Sequence, residues 1–294
     1  MSTPLSWDAV VVNYDSGEHL ERCVRSLLTD DSAGRVPDVV VVDNGSTDGS
    51  DRTCERELGV SVMRPGRNLG YARAANLGIA ATSSPIVAVC NPDIVLEPGS
   101  AAELVDRFDR EPDLGALGPR VENPDRSPYP SARSVPTLED TVGHALLGTL
   151  RPQNASTRRY RQLDADPASP RDVDWVSGAA VWLRRRALDE VGSWNERYFM
   201  YVEDVELCDR LRAAGWRVAY EPKGRVVHAR GASTSRRPYR MIVEHHRSLA
   251  RYAASRWHGP KRLLLAPAVG LLTVRAGIEM TVHLARSGSG RWER

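Results

Sequence analysis

Asn91-Pro92-Asp93 closes the apolar run Pro85-Ile86-Val87-Ala88-Val89-Cys90. A short β-rich run that stops at a polar tripeptide reads as a buried parallel strand reaching its sheet edge, which is where ligands of open α/β sheets collect. An acid there is placed to meet a phosphate or a metal, so Asp93 is the first candidate for a metal ligand; the plainer alternative is a Pro-Asp turn leaving a strand. Asp43 ends the run Asp38-Val39-Val40-Val41-Val42 in the same way and could accept hydrogen bonds from a nucleotide base or ribose. Glu203-Asp204 opens a helical pattern after the aromatic stretch Tyr198-Phe199-Met200-Tyr201-Val202. The macrodipole at a helix N-terminus keeps a carboxylate ionised, as a general base requires, but it also lowers basicity, so burial or a neighbouring acid must restore proton affinity to Asp204. For Glu206 and Asp209 the macrodipole alone is reason enough to be there. His228 follows Val226-Val227 and is either a structural residue or a ligand. An imidazole, Asp93 and two phosphate oxygens, completed by water, would suit the octahedral preference of Mg²⁺ or Mn²⁺.

These residues need a scaffold of strands whose carboxyl ends share an edge. Trp7 to Asn13 reads as a first strand, Glu18 to Leu28 as an amphipathic helix, and Asp38 to Asp43 as a second strand, which makes a βαβ unit. Asn44-Gly45 supplies a tight turn, with Ser46 as the expected N-cap of the next helix. Val60 to Met63 leads to Asn68-Leu69-Gly70-Tyr71. There Gly70 allows close backbone approach, either to a phosphate or base or simply as a loop-to-helix turn, with a helix from about Tyr71. A helix over Ser100 to Arg110 and a strand near Gly115 to Gly118 follow. Residues 120–172 read as a long insertion with a short helical piece at Leu138 to Leu150. Asp174 to Leu183 returns to strand, with Gly178 marking a bulge or a close ligand approach. In the helix after Val202, Leu207, Leu211 and Ala214 are expected to face the core and Gly215 to end it.

Two hundred and ninety-four residues suffice for one large α/β domain with appendages. The cysteines Cys23, Cys54, Cys90 and Cys208 form no Cys-x-x-Cys pair, which argues against a zinc cluster or disulfide scaffold and for buried thiols. The first residues have neither a basic nor an apolar region, so nothing there directs the chain across a membrane and a cytoplasmic location is expected. The net charge of +2 is divided unequally, with +11 on residues 225–294 and −9 on the rest. A basic tail on an acidic body points to an anionic surface, nucleic acid or the cytoplasmic leaflet. No zinc-finger or RNP-type signature accompanies the tail, so nucleic acid is not expected as a partner. Leu263 to Val274 is 12 mostly apolar residues, short of the roughly 20 of a spanning helix and interrupted by Pro267. Beyond it Arg275, Glu279, His283 and Arg286 share one helical face, with Val274, Ile278, Thr281 and Val282 largely on the other. That is an interfacial pattern, or else a helix packed on the body with a solvated charged face.

In order along the chain, Asp43-Asn44-Gly45-Ser46-Thr47-Asp48-Gly49, Asn68-Leu69-Gly70-Tyr71, Asn91-Pro92-Asp93 and Glu203-Asp204 resemble the motif set of inverting family 2 glycosyltransferases of the GT-A fold, from about Val10 to Ser235. Tyr129-Pro130-Ser131-Ala132-Arg133, Trp175-Val176-Ser177-Gly178 and Arg197 to Val205 are similar to bacterial enzymes that add L-rhamnose to N-acetylglucosaminyl-diphospho-polyprenol. The resemblance implies a Rossmann-like, mostly parallel central sheet flanked by helices over residues 1–235, with an acceptor-side insertion at 120–172 and a helical, basic extension at 236–294. It implies that Asp43 and Asn68 grip the nucleotide, with Asn13, Gly70, Asn91 and Gly178 in the same donor-binding set. Asp93 and His228 would hold Mg²⁺ or Mn²⁺, and Asp204 would be the base. The implied partners are a nucleotide-sugar donor, dTDP-rhamnose or another such as a UDP-sugar, a polyprenol-diphosphate-linked sugar acceptor and an anionic membrane surface. One departure is that the family's Asp-x-Asp stands here as Asn91-Pro92-Asp93, so metal binding leans more on His228 and Asn91 is left for ribose or a metal-bound water. Two rivals weigh less. A sugar-nucleotide pyrophosphorylase needs a Gly-rich basic loop that Val12-Asn13-Tyr14-Asp15-Ser16-Gly17 does not supply, and a non-catalytic binding module would have no use for Asp204.

Overall fold

The structure is a computed structural model that describes residues 5–32, 34, 36–135, 154–229 and 238–288. The strands β1 (Trp7–Asn13), β2 (Asp38–Asp43), β3 (Ser61–Met63) and β4 (Ile86–Cys90) are joined by helices α1 (Glu18–Thr29), α2 (Ser50–Leu58) and α3 (Tyr71–Ala80). These four strands pair in parallel in the order β3-β2-β1-β4. The valine-rich composition of β1, β2 and β4 explains this, because strands covered on both faces carry apolar residues at every position. Along β1, Trp7, Ala9 and Val11 join one core while Val10 and Val12 join the other. Alternate side chains of a strand point to opposite faces, so the sheet is the wall between two cores.

Beyond β4 the sheet is mixed. After β5 (Ile94–Leu96), helix α4 (Ser100–Arg110) leads to β6 (Leu114–Glu122). The chain then forms the short strands β7 (Pro128–Tyr129) and β8 (Ala132–Arg133), helix α5 (Ala155–Arg161), and strands β9 (Arg171–Asp172), β10 (Trp175–Val176) and β11 (Ala180–Arg184). Helices α6 (Arg185–Val191) and α7 (Glu203–Ala213) precede the long last strand β12 (Arg217–His228). The sheet continues β4-β11-β6-β12-β5, with β11 antiparallel to β4 and β6, and β12 parallel to β6. The expected insertion is thus partly regular from its start, because β6 runs through Glu122 and β7 folds back on it. The helical piece expected at Leu138 to Leu150 lies outside the described residues.

Three local expectations are corrected. Helix α2 starts at Ser50 after Gly49, whose φ is 78°, and not near Ser46; the Ser46 hydroxyl is drawn into a buried hub described below. Ala214 is exposed rather than core-facing, because α7 tightens its last turn before Gly215, whose φ is 90°. Pro267 does not interrupt the terminal helix.

After α8 (Pro238–Arg256) a 3₁₀ turn, Gly259–Leu264, runs into α9 (Leu265–Gly288), which places Pro267 in the first turn, where no backbone N–H is required. Within Gly259–Leu284 an 18-residue stretch has a mean hydropathy of 1.6 and is not buried within the protein. By length and composition that segment can cross a membrane, contrary to the 12-residue reading. The helix α9 is also inside-out relative to a soluble helix. Arg275 bonds Glu279 at 2.9 Å with both half-buried, and His283 packs edge-on to Tyr239 of α8, while Val274, Ile278 and Val282 stand outward, Val274 at 62% exposure. Arg286 lies outside the described side chains.

Candidate active site

At the ends of β1 and β2, the side chains form a closed hydrogen-bonded hub. Asn13 is fully buried, and its amide nitrogen donates to Asp43 Oδ1 at 2.9 Å, Ser50 Oγ at 3.0 Å and Ser46 Oγ at 3.1 Å. The Ser46 N–H donates to Asp43 Oδ2 at 3.1 Å, and Thr47 N–H donates to Asp15 Oδ1 at 2.7 Å. Asn13 therefore lies behind the loop and fixes the carboxylate of Asp43. Asn44, which sequence reasoning left out of the donor-binding set, carries the hub across to the next loop. Its amide donates to Asn68 Oδ1 and to the Gly70 carbonyl, each at 3.2 Å, and its Oδ1 accepts the Leu69 N–H at 2.7 Å. Its place in the Asp43-Asn44-Gly45 turn was the available signal.

The close backbone approach expected at Gly70 is to the protein itself. Gly70 has φ 87°, and a Cβ there would stand 2.5 Å from the Phe199 carbonyl oxygen. That carbonyl accepts the Tyr71 N–H at 2.7 Å, so the aromatic stretch before Asp204 docks on the start of α3.

Asp93 and His228 come together as expected. Strand β5 pairs antiparallel with the end of β12, matching Ile94 to His228, and the Ala229 N–H donates to the Asp93 carbonyl at 2.9 Å. The side chains meet at 3.0 Å between Asp93 Oδ1 and His228 Nε2, both largely buried, while His228 Nδ1 has no partner among the described residues. Two neighbouring ligands of an octahedral ion with bonds of about 2.1 Å are about 3 Å apart, so this carboxylate–imidazole pair fits a divalent cation. Among the described residues no three His, Cys, Asp or Glu side chains converge, so the remaining positions would fall to phosphate oxygens and water.

Asp204 opens α7 and faces the break between β10 and β11. The Gly178 N–H donates to Asp204 Oδ2 at 3.0 Å, and Val205 N–H donates to Asp204 Oδ1 at 2.9 Å. The Gly178 carbonyl in turn accepts the buried Tyr71 hydroxyl at 2.7 Å. One residue on, the Ala179 carbonyl accepts the Asn91 N–H at 2.8 Å. Gly178 and Ala179 therefore join Asp204 to the Asn91-Pro92-Asp93 edge directly. A Cβ on Gly178 would make only an ordinary 3.4 Å contact with Asp204, so it is the N–H and not the missing side chain that the site uses.

Burial raises the Asp204 carboxyl above its ordinary value, opposed by the Gly178 and Val205 N–H groups and by the Arg133 charge. Glu203 beside it is pushed well up, first by burial and then by Asp204, and its Oε2 has no partner among the described residues. This is the restored proton affinity that a base at a helix N-terminus needs. Arg133, held by the Pro130 carbonyl and over the Trp175 ring, is the cation nearest in effect to Asp204 and was visible only as part of a motif. Glu206 and Asp209 are held by protein partners, Asn195 and Arg210 for the first and Tyr252 for the second. The four cysteines are free and buried, and burial raises Cys23 well above its ordinary value, Cys54 to about 11 and Cys90 and Cys208 to about 12, which disfavours the nucleophilic thiolate at each.

The backbone before Asp204 is strained. Tyr201 and Val202 have φ of 67° and 69°, a region that costs a non-glycine residue about 1–3 kcal/mol and that a β-branched residue adopts only when its surroundings enforce it.

Comparison with known proteins shows the fold and the family. Among the solved structures that share the fold are a mannosyltransferase from Pyrobaculum calidifontis in complex with GDP-Man and Mn²⁺, and GalNAc-T7 with UDP, GalNAc and Mn²⁺. The first has a TM-score of 0.56 at 15% identity and covers 97% of this chain and 80% of its own; the second has 0.58 at 16% and covers 78% and 44%. The N-acetylglucosaminyl-diphospho-decaprenol L-rhamnosyltransferase of Mycobacterium tuberculosis is 40% identical over 95% of this chain and 94% of its own. The model of glycosyl transferase family 2 matches residues 8–192, the part that carries the Asp43 hub and the Asp93 edge. With a GT-A sheet, the acids Asp43 and Asp93 at their expected strand ends and a relative matched along nearly its whole length, the chain belongs to glycosyl transferase family 2 and is a glycosyltransferase.

Proposed function

We propose that this enzyme moves L-rhamnose from dTDP-β-L-rhamnose to a hydroxyl of an N-acetylglucosaminyl-diphospho-polyprenol, with inversion, at the cytoplasmic face of a membrane. The observation that carries the reading is the contact of Asp204 with Gly178, next to the Ala179 carbonyl that fixes Asn91. It sets a carboxylate of raised proton affinity beside the edge where a donor diphosphate would lie. The choice of sugar and acceptor follows the Mycobacterium tuberculosis relative, matched along nearly the full length of both chains.

On the donor side, Asp43 and Asn68, held rigid by Asn13 and Asn44, accept and donate hydrogen bonds to the nucleotide, and Asn91 faces the ribose or a water. Asp93 and His228 would hold Mg²⁺ or Mn²⁺. When bound, the ion would act as a Lewis acid toward the departing diphosphate. Asp204 takes the proton of the acceptor hydroxyl as its oxygen attacks the anomeric carbon. The bond from that carbon to the β-phosphate oxygen breaks, its electron pair leaves with dTDP, and the β-donor becomes an α-linkage.

A polyprenol acceptor stays in the bilayer, and α9 supports the same address for the enzyme. Its outward Val274, Ile278 and Val282 offer lipid an apolar face, while its polar stripe is turned to α8. The Lys and Arg excess of the tail would favour an anionic leaflet, each charge contributing about 1 kcal/mol near the surface.

The test is to incubate the purified enzyme and a short-chain N-acetylglucosaminyl-diphospho-polyprenol with dTDP-β-L-rhamnose, UDP-glucose, UDP-galactose and GDP-mannose in turn, with Mg²⁺ or Mn²⁺. The expected result is an α-linked deoxyhexose product with dTDP-rhamnose alone. A product with a UDP- or GDP-sugar in its place would reassign the donor.

A further inference from the structure

The strained turn before Asp204 is gripped from outside by α8, which lies beyond the residues matched by the family model. Ser248 of α8 is buried, and its Oγ donates to the Met200 carbonyl at 2.9 Å, one residue before the two left-handed positions. Arg251 donates to the Arg197 carbonyl and lies 5.8 Å from the centre of the Tyr198 ring. The His245 ring meets Tyr201 edge-on at 5.3 Å, and the Arg240 guanidinium sits 4.6 Å over Phe199. One turn past Ser248, the Tyr252 hydroxyl donates to Asp209 of α7, and Arg256 reaches the same carboxylate at 3.5 Å. One face of α8 thus touches the turn along its length and the helix that Asp204 opens. A valine at φ 69° needs such enforcement, because relaxing its backbone would rotate the next peptides, those of Glu203 and Asp204.

We propose that α8 is a clamp that holds the Arg197–Val202 turn in its left-handed form and so sets the position of Asp204, with Ser248 and Tyr252 as its principal positioning residues. The proposal rests on Asp204 being the base. It also makes α8, whose Tyr239 meets His283 of the apolar helix α9, the element that aims the residue acting on the acceptor.

The experiment is steady-state kinetics on the full chain for Ser248→Ala, Tyr252→Phe and the double variant, with Arg247→Ala as a control on the exposed side of the same helix, where its side chain is 67% exposed. A displacement of about 1 Å at a reacting group can cost about 10²-fold in rate. The double variant should therefore lose about 10- to 100-fold in kcat, each single variant less, with donor KM and dTDP affinity within twofold of wild type and Arg247→Ala unchanged. A structural role alone would lower the melting temperature and leave this kcat-against-KM split absent. A double variant with kcat within twofold of wild type, or one that loses kcat and dTDP affinity in equal measure, would overturn the clamp. Asp204→Asn measured alongside separates the two readings. If that variant turns over normally the base assignment fails and takes the clamp's object with it; if it is inactive while the double variant is normal, the clamp alone fails.

Discussion

The proposed donor side and the proposed acceptor side of this enzyme are built on different principles. On the donor side, Asp43, Asn44 and Asn68 sit in loops between consecutive parallel strands, and their polar groups are satisfied by one another within a short stretch of chain. On the acceptor side, Asp204 follows two residues in a costly backbone region, lies next to a Glu203 oxygen with no partner among the described residues, and is preceded by a turn whose Met200 carbonyl is held by Ser248, 48 residues further on. A nucleotide pocket can be rigid from local sequence alone. On the proposed reading, the base that meets a lipid-borne acceptor is positioned by α8, the helix that leads into the apolar α9.

The sharpest way to break the donor side is to remove its cation. EDTA, or Asp93→Ala, should lower transfer by on the order of 10³-fold, since the ion's stabilisation of a leaving phosphate is worth several kcal/mol. Product formation before and after added Mg²⁺ or Mn²⁺ is the measurement, and full activity in chelator would remove Asp93 and His228 from the role of ligands. The membrane face is next in size. Val274→Asp or Ile278→Asp puts a charge on the outward stripe of α9, at a cost of about 2.5–3.5 kcal/mol at a bilayer centre, so association with vesicles should fall by about 10²-fold. Unchanged co-sedimentation would mean that α9 does not enter lipid.

Asn44→Ala should be milder. It unlinks the Asp43 and Asn68 loops at a cost of about 1–3 kcal/mol for the polar groups left behind, so dTDP should bind about 10-fold more weakly in calorimetry, with kcat at saturating donor little changed.

The smallest effect is a displaced pH limb. Burial raises Asp204, so kcat/KM should fall with acid through a pKa above the ordinary carboxylate range, because the base must be ionised. Stability should run the other way. Glu203 and Asp204 hold protons in the folded state that the unfolded chain has already released, so between their ordinary and raised values the melting temperature should drop as pH rises. Parallel rather than opposed trends would mean that the pair is not buried in solution as it is here.

The same division decided what could be read from sequence. Strands β1, β2 and β4 were legible because strands covered on both faces spell out unbroken valine-rich runs, and Asp43 after β2 and Asp93 after β4 marked the edge. The meeting of Asp93 and His228 was legible as two strand ends, although they are 135 residues apart. What failed depended on partners that periodicity does not reveal. Ser46 looked like a cap because nothing in the sequence shows Asn13 waiting behind it. Gly70 read as either a ligand approach or a loop-to-helix turn, and the choice needed Phe199, which closes on it from far along the chain. Pro267 looked like a break because the start of α9 could not be placed to within a turn. The polar stripe of α9 was seen, but its direction was not, since that required Tyr239 of α8.

The most direct test of the account is Asp204→Asn, assayed for dTDP affinity and for transfer to the polyprenol-linked acceptor on the same preparation. Losing a positioned base costs about 10²–10⁴-fold in rate, so the account predicts a kcat lower by at least about 10²-fold with dTDP affinity within twofold of wild type. Turnover within a few-fold of wild type would contradict it, and would send the search for the base to the neighbouring carboxyl of Glu203.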